Sequence, residues 1–124
     1  MKAGGAGAIE AVVAALRAHG ANAAVQEQGC RALVNLCSNA DNRVKAGGAG
    51  AIEAVVAALR AHGANAAVQE FGCLALVYIC WTRSELRARA RAAGAVPALE
   101  AAVAAFKQGP VVEMAQQALS KIKQ

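Results

Sequence analysis

Apolar residues recur along this chain with the spacing of helices, and no segment alternates with the two-residue period of a half-buried strand. Between Ala8 and His19, the residues Ile9, Val12, Val13 and Leu16 fall on one side of a helix, and Gly20 ends it. Asn22 is a favourable N-cap for a second helix from about Ala23 to Cys37, with Val25, Gly29, Ala32, Leu33 and Leu36 on its inner face. A shorter helical segment follows from about Asp41 to Ala46, and Gly47-Gly48-Ala49-Gly50 breaks it.

This set of helices then recurs. Residues 2–27 reappear letter for letter as residues 45–70, a run of 26 identities at a period of 43. A third copy is diverged but alignable. Gly94-Ala95-Val96-Pro97-Ala98-Leu99 matches Gly50-Ala51-Ile52-Glu53-Ala54-Val55, with Pro97 tolerated in a first helical turn, and Val111–Ile122 matches Val68–Ile79. One residue is inserted before Gly94 and one is lost in the loop after that helix. A helical unit at this period predicts an all-α solenoid in which neighbouring units bury each other's apolar faces. The units span about residues 1–44, 45–87 and 88–124 of a single domain.

The first two copies part company in a patterned way. Gln28 is replaced by Phe71, Arg31 by Leu74, Asn35 by Tyr78 and Ser38 by Trp81. Apart from the near-neutral exchange of Leu36 for Ile79, the differences in this stretch fall at i, i+3, i+7 and i+10, one face of a helix. The third copy offers Met114, Gln117 and Lys121 there. A shared framework with one rewritten stripe points to a binding surface. Its apolar centre and polar flanks have the anatomy of an interface core and rim. The competing reading is internal packing, with Phe71 set against the third unit and Trp81 buried at the turn before Arg83. The polar residues of the first copy argue against it, because they are costly to bury at the equivalent places.

Two segments carry a family resemblance: the Gly-Ala-Ile/Val-X-Ala-Val/Leu helix opening and Ala32-Leu33-Val34-Asn35-Leu36. On these, and on the period, the chain resembles the armadillo repeat family over nearly its whole length. HEAT repeats also stack helical hairpins, but the three-helix unit and the Gly-Ala-Ile opening favour armadillo. The resemblance implies a right-handed α-solenoid of three repeats whose third helices line a concave groove. In that family a Trp, with an Asn four residues later, often forms a ladder that grips an extended peptide. The matching pairs here are Arg31 and Asn35, Leu74 and Tyr78, and Gln117 and Lys121, so only Asn35 keeps the family residue. The amide clamp is mostly replaced by a hydrophobic middle. A basic import-signal peptide is a poor fit, since the chain is itself basic and the groove is read as lacking an acidic lining. The near-identity of the copies also suggests an engineered consensus array or an excised fragment.

Composition narrows the functional classes. The 124 residues are 57% hydrophobic, dominated by Ala and Val, which suits closely packed helices. No apolar run reaches the length of a membrane span, and Met1-Lys2-Ala3-Gly4-Gly5 lacks the apolar core of a leader, so a soluble, cytoplasm-compatible protein is expected. The net charge is +5, with Arg83, Arg87, Arg89 and Arg91 close together. A nucleic-acid role needs stacking aromatics beside such a run; here they lie on another helix, and a solvated helix face is the simpler reading.

Cys30, Cys37, Cys73 and Cys80 are two copies of one pair, seven residues apart, or roughly 10 Å along a helix. That exceeds disulfide reach, and the spacing is not that of a zinc site, so four free, buried thiols are expected. Neither a cofactor nor a metal is expected. Gly5-Ala6-Gly7-Ala8-Ile9-Glu10 lacks the third glycine and preceding strand of a dinucleotide site, and Glu10 and Glu53 are repeat copies rather than an asymmetric acid–base pair. A non-enzymatic interaction scaffold is the expectation. Its partner is a peptide or protein in the groove; the alternative is a homodimer formed through the same stripe or through the N-terminal end. The C-terminal end reads as capped, with Gln116 and Gln117 in place of Cys73 and Leu74 and with Lys121 and Lys123 beyond them. The N-terminal end lacks a short helix before Lys2 and keeps the interior residues Ile9, Val12, Val13 and Leu16.

Overall fold

Asparagine and glycine set most of the helix boundaries. The Asn22 and Asn65 side chains accept hydrogen bonds from the Val25 and Val68 amides at 3.1 and 3.0 Å, and Asn39 accepts from the Asn42 amide at 2.8 Å. Gly50 and Gly94 adopt φ of +89° and +87°, a left-handed corner open to glycine at little cost. The computed structural model describes residues 6–124 and holds eight helices and no strand among them. They are α1 (Ala6–Ala18), α2 (Ala23–Leu36), α3 (Ala40–Ala49), α4 (Ala51–Ala61), α5 (Ala66–Ile79), α6 (Ser84–Ala92), α7 (Ala95–Phe106) and α8 (Pro110–Ile122). None of these helices is long and apolar enough to cross a membrane. The opening residues 1–5, read above for a leader and a preceding helix, lie outside the described residues.

Two rows of helices pack side by side: α1, α4 and α7 in one, and α2, α5 and α8 in the other. The short helix α3 packs on α1, α4 and α5, and α6 packs on α4, α7 and α8. The core between the rows is aliphatic and small, with Ile9, Leu33, Ile52, Leu76, Ile79, Leu99 and Ile122 fully buried. Glycines allow the close approach of the rows. A Cβ on Gly29 would lie 2.5 Å from Leu16 Cδ2, and one on Gly72 would lie 2.7 Å from Leu59 Cδ2. Successive units are also tied by polar contacts. The His62 Nε2 is 2.8 Å from the Gly20 carbonyl, and Arg60 donates to the Gly94 carbonyl at 3.4 Å.

Three sequence expectations need correction. The third segment does not stop at Ala46: α3 continues through Gly47 and Gly48 to Ala49 and ends only at the left-handed Gly50. Gly47 is buried against Leu86, which leaves no room for a side chain, so packing overrides the low helix propensity of glycine. The buried face of α2 is wider than expected. Gln26, Cys30, Leu33 and Cys37 are fully buried; Val25, Gly29, Ala32 and Leu36 are half-buried here, but their copies Val68, Gly72, Ala75 and Ile79 on α5 are fully buried. The polar member can go inside because its amide is satisfied: Gln26 Nε2 donates to the Leu16 and His19 carbonyls, each at 3.0 Å, and closes the end of α1. Gln69 repeats this on Leu59 and His62 at 2.8 and 3.0 Å.

The arginine run, in turn, is more than a solvated face. Arg87 donates to the Cys80 and Trp81 carbonyls at 3.3 and 3.4 Å, as Arg43 does to Cys37 and Ser38 at 2.9 and 3.3 Å. Arg89 pairs with Glu53 at 2.9 Å, and Arg91 donates to the Ile122 carbonyl at 2.6 Å. Arg43, Arg87 and Arg91 satisfy carbonyls at or just beyond helix ends, and Arg89 ties α6 to α4 through Glu53. The equivalence of Arg43 and Arg87 also locates the inserted residue. One residue, Ser38, separates the C-cap of α2 from the N-cap of α3, whereas Trp81 and Thr82 separate the corresponding caps of α5 and α6.

Candidate functional site

The rewritten stripe lies along the row formed by α2, α5 and α8. Its first-unit members, Gln28, Arg31 and Asn35 on α2, are all exposed. On α5, Phe71, Leu74 and Tyr78 are half-buried, and Phe71 and Tyr78 rest partly on the core. Trp81 stands just beyond the helix and is 45% exposed, so it is not buried at the turn. On α8, Met114 and Lys121 are half-buried and Gln117 is exposed. The apolar members are therefore rooted in the core at one side and open at the other. The patch is thinner than four fully exposed side chains would make it.

Two cations from the flanking units reach onto the aromatic rings. The Arg31 guanidinium carbon lies 4.9 Å from the centroid of Phe71, and Lys121 Nζ lies 4.2 Å from that of Trp81. Both are within cation–π range. These contacts place residues of all three units on one surface. In both contacts it is the charged end of the side chain that lies over the ring.

A carboxylate also belongs to this surface, contrary to the expected lack of an acidic lining. Glu27 is 3.8 Å from Arg31, which therefore sits between an acid and an aromatic ring. Glu27, Glu70 and Glu113 recur at the repeat period, each one residue before Gln28, Phe71 and Met114. That recurrence is the sequence signal for the column. Reading only the positions that differ between copies passes over it.

The remaining chemistry-bearing groups are interior. Cys30, Cys37, Cys73 and Cys80 are free and buried. Burial pushes the Cys30, Cys73 and Cys80 thiols up to about 12 and the Cys37 thiol to about 11; Cys30 nearby adds to the rise of Cys73, and Arg43 and Arg87 partly offset it for Cys37 and Cys80. Protonated thiols of this kind are inert as nucleophiles.

Two crevices open on the other row. One, of about 510 Å³, lies between α4 and α7 against Leu59, Arg60, Ala98 and Ala102. The other, of about 310 Å³, lies between α1 and α4 against Leu16, Arg17, Ala54 and Ala58. Their linings are copies of each other one repeat apart. They are the gaps left where a row of alanines on one unit faces the Leu, Arg, Gly and Gln residues of the preceding one, not a built ligand site. No family model, curated protein or solved structure matches the chain.

Proposed function

We propose that the chain is a right-handed armadillo-like α-solenoid of three units that acts as a non-enzymatic protein-binding scaffold. The row α2, α5, α8 is its concave surface, and the occupant is an extended peptide or a segment of a partner protein with apolar side chains at its middle. One observation carries this reading: identical framework positions hold exposed polar residues in the first unit and an open aromatic stripe in the second. The cations Arg31 and Lys121 on the Phe71 and Trp81 rings support it, since they frame the apolar centre with a polar rim. The departures from the family ladder at Arg31, Leu74, Tyr78, Gln117 and Lys121 put side-chain anchoring in place of a backbone clamp.

The test exchanges Phe71, Leu74, Tyr78 and Trp81 for the first unit's Gln, Arg, Asn and Ser. Peptides are first selected on the unaltered protein from a displayed library of random sequences. Their affinity for the fourfold variant is expected to collapse, because aromatic anchors contribute about 2 kcal/mol or more each. The melting temperature is expected to fall only modestly. Selected peptides that bind the variant equally well would refute the reading. So would a loss of several kcal/mol in stability, which would make the stripe part of the core.

A further inference from the structure

Among the described residues, the two end faces of the array differ in polarity. Residues covered by a following unit can be recognised by comparing copies. Val13 and Val56, Cys30 and Cys73, and Cys37 and Cys80 are buried in the first two units. Their third-unit counterparts are Glu100, Gln116 and Lys123, all exposed. Lys123 and Glu100 even pair across that face at 3.8 Å. The C-terminal face has been rewritten from apolar to polar.

The opposite face has not been rewritten. In the second unit, Ala54, Val55, Ala58, Val68 and Ala75 are buried under the first unit. Their first-unit counterparts are the same letters, Ala11, Val12, Ala15, Val25 and Ala32, and these are exposed or half-buried. They line an open groove of about 490 Å³ between α1 and α2, with Ala24, Asn22, Gln28 and Gly29, and no charged residue lines it. Among the described residues, the same surface is thus covered in one copy and uncovered in the other.

We infer that this N-terminal face pairs with the same face of a second copy of the chain, giving a closed two-fold dimer. The polar C-terminal face excludes the same-sense alternative. Stacking the third unit of one molecule on the first unit of the next would press Glu100, Gln116 and Lys123 onto uncharged Ala and Val, burying the Glu100–Lys123 pair at a desolvation cost that no polar group on the facing surface offsets. Face-to-face pairing buries no charge. It uses one patch twice and therefore stops at two. The small residues Ala11, Ala15 and Ala32 let the helices of the two molecules approach closely, as their buried copies Ala54, Ala58 and Ala75 do inside the chain. This pairing uses none of the aromatic residues of the stripe and shares only Gln28 with its polar flank.

The test is sedimentation of the full chain over a concentration series. A reversible monomer–dimer equilibrium is expected. Ala11→Glu with Ala24→Glu should weaken it by about 100-fold, through like charges set against each other. Both positions are exposed, and Ala24 is in the first turn of α2, where a carboxylate is favourable, so the monomer should keep its melting behaviour. The matching Ala11→Lys with Ala24→Lys variant should also be monomeric alone. Mixing the two variants should restore a dimer. A chain that stays monomeric at all concentrations overturns the inference. So does mass that grows beyond the dimer, or a dimer that survives both charge variants but is lost when the stripe is exchanged. That last result would place self-association on the stripe instead.

Discussion

Lys121 Nζ stands 4.2 Å over the ring of Trp81, and through this contact the last helix closes on the turn that carries the inserted residue. Ser38, the counterpart of Trp81 in the first unit, has no ring, and its α5 neighbour in the Lys121 position is Tyr78. The contact is therefore specific to the second and third units. A cycle of Trp81→Ser, Lys121→Ala and the double variant should show a coupling of about 0.5–1 kcal/mol in thermal or denaturant melts, the range for an exposed cation–π pair. A coupling of zero would mean that Lys121 only lies near the ring and that the rim of the proposed site is not preorganised.

Much of this architecture was legible because the repeat supplies its own alignment. Asn22 and Asn65 cap as their residue type dictates, and Gly50 and Gly94 turn the chain where the letters recur. What sequence patterns missed has a common physical origin. Gln26 and Gln69 read as outward-facing until the carbonyls of Leu16, His19, Leu59 and His62 are known to await their amides. Gly47 reads as a breaker until Leu86 is found against it. Arg87 and Arg91 read as solvated until the helix ends beside them are placed. In each case the deciding partner lies on another segment. The stripe was found from differences between copies. Its partial burial, and the acid Glu27 beside Arg31, depend on three-dimensional neighbours.

The pair Arg89 and Glu53 links the second unit to the arginine-rich helix at 2.9 Å. Burial pushes the Glu53 carboxyl up, but the hydrogen bond from Arg89, a bond within its own residue and the charges of Arg89 and Arg17 outweigh this, and its pKa is lowered from the ordinary 4.5. A group depressed in the folded state stabilises the fold above its unfolded pKa and loses that contribution as pH falls through the folded value. Stability should therefore decline as the pH is lowered from about 4.5. Glu53→Gln should flatten part of that decline while leaving the curve at higher pH nearly parallel to it. Because both side chains are partly exposed, at 46% and 40%, the effect should also shrink with salt. An unchanged acid slope in Glu53→Gln would show that the pair is not maintained in solution.

The four buried thiols should remain protonated through pH 8, since burial holds them at about 11 to 12. Alkylation of Cys30, Cys37, Cys73 and Cys80 should then follow unfolding rather than thiol chemistry, and denaturant should release all four together if the array melts as one unit. Reducing agent should leave the melting temperature unchanged, as the cysteines are free. Rapid labelling of any one of them under native conditions would reveal local opening of its helix and would break the assumption of a single cooperative core.

The closest test of the packing uses an exchange that the chain itself contains. Gly29 faces Leu16, and Gly72 faces Leu59, with space for no Cβ between them. In the third unit the corresponding residues are Ala115 and Val103, so a methyl is added on one helix while a methylene is removed from the other. Gly72→Ala alone forces a Cβ to within 2.7 Å of Leu59 Cδ2 in a buried site. The gain in helix propensity, about 1 kcal/mol, opposes an overpacking cost of about 1–3 kcal/mol, so a net loss of stability is expected. Leu59→Val alone leaves a small void beside Gly72 and should cost about 1 kcal/mol. The two changes together should be better than the sum, because each fills or vacates the volume the other disturbs. Melts of the single and double variants read this directly. Strict additivity would show that Gly72 and Leu59 relax independently, and that the third unit's Ala115 and Val103 arose for separate reasons.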